Sequence, residues 1–468
     1  MITIIGEPTT VNNNLIVHFE TDILNITDIK LTRDGTNYIS ATIFDDSSAT
    51  FDISDWANGT YADCNLCVEY NKDEYKKRKD AIYVVDYNTP SDGDYTSLLQ
   101  TIVNTSVEEH KKIVFGKGVF IISGTISCPD NCIIEIEGNS DAFANSLQRY
   151  SSSLNGTNLW YENVNNETLI IYTGSDTLFK HPGGTGKGTI FKFKNISFRN
   201  ALNDTSSYML KGSVIGQQTV DASSKGKVYA ENCLFAGFKV CFGDKYVTNE
   251  LETALNTLDG REIISKPTTL EKSCFVGLRC RFVACGCAVN LGVDSRFVDC
   301  SFNSGWYGIV FQDNSGISTI ANCRLEWLKL NAIYSDSCHD ITVIGNELDR
   351  IGWAGVHFTN CTNSNICSNV FRRCGSDTTY DYTSISKNVQ IYIDGCTGGV
   401  INSNVTIKKA ITDNGGTIRP SNSVCIRNNT SITVIGNDFT GCTKGTNNKI
   451  ENNTTSTIEY NTMPTNIV

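Results

Sequence analysis

Asp299-Cys300-Ser301-Phe302, Asn322-Cys323-Arg324-Leu325, Gly345-Asn346-Glu347-Leu348 and Ser368-Asn369-Val370-Phe371 are variations on one phrase, each starting 23 residues after the last. Similar phrases precede them at Asn195-Ile196-Ser197-Phe198 and Asn232-Cys233-Leu234-Phe235. Others follow at Gly436-Asn437-Asp438-Phe439 and Glu459-Tyr460-Asn461-Thr462, where 436 to 459 is 23 again. Between 368 and 436 the spacing stretches, as expected where a loop such as 377–386 is inserted. Units rich in Val, Ile, Thr, Phe and Gly, with Asn, Gly and Ser at the turns, describe a coil of short strands. One coil cannot bury its inner face alone, so coils must stack. The 3.6-residue period of helical solenoids is missing, and so is the Leu-x-x-Leu-x-Leu frame of leucine-rich repeats. What remains is a parallel β-helix.

The cysteines agree with that reading. Cys300 and Cys323 are 23 residues apart, as are Cys338 and Cys361. Each pair should stack in neighbouring coils at one strand spacing, about 4.8 Å. Parallel neighbours hold thiols at poor disulfide geometry, so they read as interior packing. The count of 19 is odd. Cys64-x-x-Cys67 and Cys128-x-x-x-Cys132 have no second pair or His pair at zinc spacing, so neither a metal nor a cofactor is expected.

Toward the N-terminus the pattern changes. Tyr95, Leu98, Leu99, Ile102 and Val103 form an apolar stripe at helical spacing, with Ser91 or Asp92 available as cap. Such a helix would cover the open first edge of the solenoid. Strands follow at Lys112–Phe115, Gly118–Ile122 and Ile133–Glu137. Residues 1–87 alternate apolar and polar in short runs, including Leu15–Phe19, Ile29–Thr32, Ala49–Ile53 and Cys64–Tyr70. Turn signals at Asp34-Gly35 and Asn58-Gly59 separate them, which predicts a small antiparallel β-sandwich of immunoglobulin-like size. The expected division is a sandwich over 1–87, a cap helix with first coils over 88–140, and the parallel β-helix over 141–468.

Formal charge is −11, and the longest basic run is Lys76-Lys77-Arg78-Lys79, so nucleic acid is not an expected partner. No apolar run approaches the roughly 18 residues of a membrane span. The start, Met1-Ile2-Thr3-Ile4-Ile5-Gly6, shows no basic segment leading into an apolar core, so no signal peptide is expected.

The stretch Asp92-Gly93-Asp94-Tyr95-Thr96-Ser97-Leu98-Leu99-Gln100 leads to Ile113-Val114-Phe115-Gly116-Lys117-Gly118-Val119-Phe120 and Thr125-Ile126-Ser127-Cys128-Pro129. It resembles the opening of pectate-lyase-like β-helix proteins, with an Asp-Gly-Asp linker, a cap helix and a first coil. Phage tailspikes and tail-fibre depolymerases commonly carry this module. The resemblance spans about 88–465 and implies a right-handed, single-stranded parallel β-helix in an all-β chain. It also implies a homotrimer in the virion, with the N-terminal domain docked to other tail proteins. The Trp-Ile-Asp-His and Arg-x-Pro-x-x-Arg phrases of pectate lyases are absent. So are the Asn-Thr-Asp, Gly-His-Gly and Arg-Ile-Lys phrases of polygalacturonases, so the chain is not an ordinary member of either enzyme family.

Glycoside hydrolysis requires two carboxyl groups. Glu326 and Asp349 are 23 residues apart, as are Asp313 and Asp336, with Asn360 following near the same place. Carboxylates on adjacent coils would lie roughly 5 Å apart, near the retaining distance. The competing reading is a turn ladder in which Asp and Asn bond the neighbouring backbone. Trp306, Trp327 and Trp353 fall near these acids and form a candidate sugar platform. Arg324 and Arg350 could bind a substrate carboxylate or neutralise the acids, and His357 is a further candidate contact. The expected function is to bind and depolymerise a bacterial surface polysaccharide. The alternatives are a non-catalytic receptor-binding or adhesin protein, and a bacterial polysaccharide lyase or epimerase.

Overall fold

The structure, a computed structural model, describes residues 2–4, 9–11, 14–21, 26–32, 38–44, 48–52, 65–70, 81–140, 167–181, 188–200, 211–217, 227–242, 274–290, 293–305, 307–311, 316–328, 330–375, 389–407, 423–441 and 449–463. Two compact units are present: Met1–Asn88 with Lys111–Val114, and Thr89–His110 with Phe115–Val468. The first contains small antiparallel sheets. In one, Asn14–Thr21 pairs with Ile2–Ile4, Thr9–Val11 and Ser48–Asp52. In the other, Ile26–Thr32 lies between Tyr38–Ser40 and Asn65–Tyr70. Alternation buries Leu15, Val17, Ile29, Leu31, Ala49 and Phe51, the side expected from the sequence.

The second unit opens on helix α1, Thr96–Glu109, with Leu99, Ile102 and Val103 buried. Its cap is neither Ser91 nor Asp92. The Thr96 backbone N–H donates to Asp94 Oδ1 at 2.9 Å, and the Asp94 N–H donates in turn to Asp92 Oδ1 at 3.0 Å. Gln100 on this helix bonds the edge residue Ser127 twice. Its Nε2 donates to the Ser127 carbonyl at 2.9 Å, and its Oε1 accepts the Ser127 N–H at 2.8 Å. The side-chain amide thus satisfies an edge that has no preceding strand, which is how the helix covers the first coil.

Three parallel sheets then form a β-helix, the chain visiting each in turn. Sheet one includes Ile133–Glu137, Ile190–Lys194, Gly316–Ala321 and His339–Ile344. Sheet two runs from Gly118–Ile122 to Val405–Ile407, and sheet three from Ile126–Ser127 to Lys449–Glu451. The quoted phrases are the turn into sheet two and its first residues. Their apolar member points inward: Phe198, Phe235, Phe282 and Phe302 form a stack with centroids 5.5, 5.2 and 4.8 Å apart, continued by Leu325, Leu348 and Phe371.

From Leu234–Ala236 onward the residue before each sheet-two strand forms a second ladder, which runs on past the last strand to Asn437. It begins as cysteine (Cys233, Cys280, Cys300, Cys323) and continues as asparagine (Asn346, Asn369, Asn404, Asn437), all buried. The Cys280 N–H donates to Cys300 Sγ at 3.4 Å, the Cys323 N–H to Asn346 Oδ1 at 2.8 Å, and the Asn346 N–H to Asn369 Oδ1 at 2.9 Å. Thiol and amide therefore do one job, accepting a turn N–H that would otherwise be buried without a partner. Cys361, Cys396 and Asn429 repeat the arrangement at the turn into sheet one, through N–H donations at 3.4 and 2.7 Å. The described cysteines of the second unit are free thiols.

Candidate functional site

In Arg324–Glu326 alternation turns Leu325 inward and Arg324 and Glu326 outward, and the next strand, Glu347–Asp349, repeats the pattern. Register pairs Arg324 with Glu347 and Asn303 with Glu326, and it pairs Glu326 with Asp349. The stacking of Glu326 on Asp349 expected from the 23-residue period is present. The chain then turns through residues of positive φ: Trp327 (57°), Arg350 (55°) and Arg373 (55°). Gly237, Ala284 and Ser304 occupy this place in earlier coils. Five of the residues singled out in the sequence thus meet on one flank: Glu326, Asp349, Arg324, Arg350 and Trp327.

Their bonding divides the roles. Asp349 is only 1% exposed and its oxygens are engaged: Oδ1 accepts from Arg373 Nε at 2.8 Å, while Oδ2 accepts from Arg373 Nη2 and from Arg350 Nη1, the latter at 2.9 Å. A carboxylate held in this way cannot meet a glycosidic oxygen, and the expectation that Asp349 touches the sugar is corrected accordingly. Its work is to fix Arg350, whose guanidinium lies over the Trp327 ring at 4.3 Å. Trp327 itself remains 44% exposed. Glu326, with 12% of its side chain exposed, accepts from Asn303 Nδ2 at 2.7 Å and pairs with Arg324 at 2.9 Å. Burial of Arg281, on the same outward row as Arg324, lowers its pKa, while the charge of Glu326 acts in the opposite direction.

Sequence reasoning missed Arg373, Asn303 and Glu347. All three carried a signal, since Arg350–Arg373, Asn303–Glu326 and Arg324–Glu347 are each spaced by 23. Glu347 pairs with Arg372 at 2.6 Å and keeps 38% of its side chain exposed. It lies diagonally from Glu326, one strand across and two residues along, which places the two α-carbons about 8 Å apart.

The other candidates lie elsewhere. Trp353 is 1% exposed, packed with Val240, Cys287, Tyr307, Val310 and Leu330, so it is a core residue and not part of a platform. Asp336 and His357 are on sheet three. His357 is buried between Tyr334 and Tyr392, with ring centroids at 5.1 and 4.5 Å, so it is not an exposed sugar contact. Asp336 Oδ1 accepts from Ser337 Oγ at 3.1 Å and from Asn360 Nδ2 at 3.3 Å, which is the turn-ladder arrangement. Trp306 and Asp313 lie outside the described residues. Among the described residues no group of three or more His, Cys, Asp or Glu side chains is placed to hold a metal ion.

No protein-family model matches the chain, and no curated protein matches it. Solved structures of similar fold include the A-module of mannuronan C-5 epimerase AlgE6 from Azotobacter vinelandii, at 11% identity and TM-score 0.45, covering 82% of this chain and 97% of that one. Tailspike protein 2 of Escherichia coli O157:H7 bacteriophage CAB120 matches at 11% identity and TM-score 0.48, covering 92% of this chain and 50% of that one. The catalytic unit of a GH87 α-1,3-glucanase from Streptomyces thermodiastaticus matches at 11% identity and TM-score 0.45, covering 100% and 89%. At these identities the likeness is one of fold.

Proposed function

We propose that this is a tailspike-type protein that binds and depolymerises a bacterial surface polysaccharide at the sheet-two flank around Trp327. The observation that carries the reading is a large, exposed indole at a positive-φ turn, braced by Arg350 and set beside Glu326. Aromatic faces of this kind take the C–H face of a sugar while neighbouring polar groups meet its hydroxyls. Glu326 and Glu347 are the carboxylates assigned to the chemistry. They lie on neighbouring strands of the same face, and the stereochemical outcome is read from the product.

The opening motif at 92–129 supports placement in a phage tail, attached through the N-terminal unit. An outward apolar row on sheet one, formed by Leu278, Val298, Ala321, Ile344 and Cys367, supports assembly into a homotrimer. A second reading, a receptor-binding spike without catalysis, is favoured by the locking of Asp349 between two arginines.

The test is incubation with a panel of purified capsule and O-antigen polysaccharides. New reducing ends and absorbance from unsaturated sugar are recorded for wild type, Glu326→Gln and Glu347→Gln. Reducing ends without absorbance, lost in either variant, are expected. Absorbance would indicate a lyase, and binding without cleavage would leave the spike reading.

A further inference from the structure

Glu326 is held from the coil before it. Asn303 ends the strand Ser301–Asn303, and alternation turns Phe302 inward and Asn303 outward, onto the same row as Glu326. Asn303 Nδ2 donates to Glu326 Oε1 at 2.7 Å, while Arg324 Nη2 meets Glu326 Oε2 at 2.9 Å. An ionised carboxylate only accepts, so the amide has to offer its NH2 edge and turn its carbonyl away. That carbonyl is taken by the next residue, since Ser304 Oγ donates to Asn303 Oδ1. Ser304 stands at a positive-φ turn (58°). Ala284 and Gly237 occupy that turn one and two coils earlier and bring no hydroxyl. The bonds from Ser304 to Asn303 to Glu326 run in one direction, so each polarises the next.

We infer that Asn303 is a positioning residue for Glu326, oriented in its turn by the Ser304 hydroxyl. This rests on the reading above, in which Glu326 does chemistry on a polysaccharide, and it names what fixes that group. The bond is not demanded by the core. Asn303 and Glu326 are both half-buried on the outer face, where water can satisfy polar groups, unlike the interior ladder of Asn346 and Asn369. A glutamate left alone samples many rotamers. One donor on each oxygen, from the neighbouring coil and from its own strand, pins the plane of the carboxylate. A carboxylate offers roughly four lone-pair sites, so these two bonds leave about two for a substrate. Asp349, next in the same row, is instead closed off at 1% exposure between two guanidinium groups. Glu326 receives one neutral amide and one exposed guanidinium and stays reachable beside Trp327. A shift of about 1 Å in a reacting group is enough to cost about a hundredfold in rate.

The test is steady-state cleavage of whichever panel polysaccharide the wild-type chain cleaves fastest. It compares wild type, Asn303→Asp, Ser304→Ala, the double variant and Glu326→Gln, all as full chains. Asn303→Asp keeps the shape of the side chain and removes the donor. Ser304→Ala installs the residue that Ala284 already supplies at this turn, so the fold is retained, which an unchanged melt checks. Asn303→Asp should lower kcat about 10- to 100-fold while KM stays within about a factor of two. Ser304→Ala should lower kcat about two- to tenfold. The double variant should lose no more than Asn303→Asp alone, because the hydroxyl acts only through the amide. Wild-type kcat in either single variant, a loss confined to KM, or additive losses in the double variant would overturn the positioning assignment. The polysaccharide reading would still stand if Glu326→Gln is inactive. No cleavage by wild type, or full activity in Glu326→Gln, would overturn both.

Discussion

Breaking the Asp349–Arg373 pair separates the structural role assigned to Asp349 from a catalytic one. Both side chains are almost fully buried, at 1% and 2% exposure, and two of the three bonds on Asp349 come from Arg373. Arg373→Met leaves a buried carboxylate with Arg350 alone, and Asp349→Leu leaves a buried guanidinium. Removing one member of such a pair costs about 3–5 kcal/mol, whereas replacing both with apolar residues of similar size is near neutral. The double variant should therefore be more stable than either single one. Global unfolding of a repeat array is not a two-state event, so the readout is local. Amide exchange in Glu347–Asp349 and Val370–Arg372 should accelerate by two to nearly four orders of magnitude in the single variants and recover in the double. Additive effects, or single costs below about 1 kcal/mol, would mean that the pair behaves as a solvated surface bridge. Asp349 would then be available to substrate, and the assignment made here would fail.

Three other outcomes follow from the same geometry. Asn369→Ala removes the acceptor of the Asn346 N–H and the donor to Val343 O, and should destabilise those coils by about 2–4 kcal/mol in local exchange. Asn369→Cys should cost less, because thiols fill this ladder position upstream. Burial pushes the Cys287 and Cys374 thiols well above their ordinary range. Alkylation of the native protein should spare them and become rapid only on unfolding, and quick labelling would contradict their burial. Burial raises the pKa of Asp394, but hydrogen bonds from Asn428, Arg427 and Tyr392 outweigh it and hold the carboxyl below its usual range. Its contribution to stability is therefore present above the unfolded value of about 4 and is lost as pH falls through the lower folded value. Asp394→Asn should flatten the acid limb of a melting-temperature profile, and an unchanged limb would refute the linkage.

The period of 23 made the stacking partners legible. It paired Glu326 with Asp349, and aligned Phe302, Leu325 and Leu348 as one interior row. It did not show which of three faces a residue occupies. Asp336 follows Glu326 by ten residues, yet the chain has turned from sheet two to sheet three between them. Nor does a period tell inside from outside where strict alternation ends. Trp353 lies at such a place and is core, while Trp327, at a positive-φ turn, stays exposed. Arg373 was missed because a left-handed turn residue swings its side chain back across the strand end, a contact that no strand alternation predicts.

The most direct test of the account is polysaccharide binding by Trp327→Ala beside wild type, with Trp353→Phe as the core control. The account predicts a loss of at least tenfold for Trp327→Ala with an unchanged melt, and wild-type affinity for Trp353→Phe. Wild-type affinity in Trp327→Ala would place the sugar on another face and contradict the site.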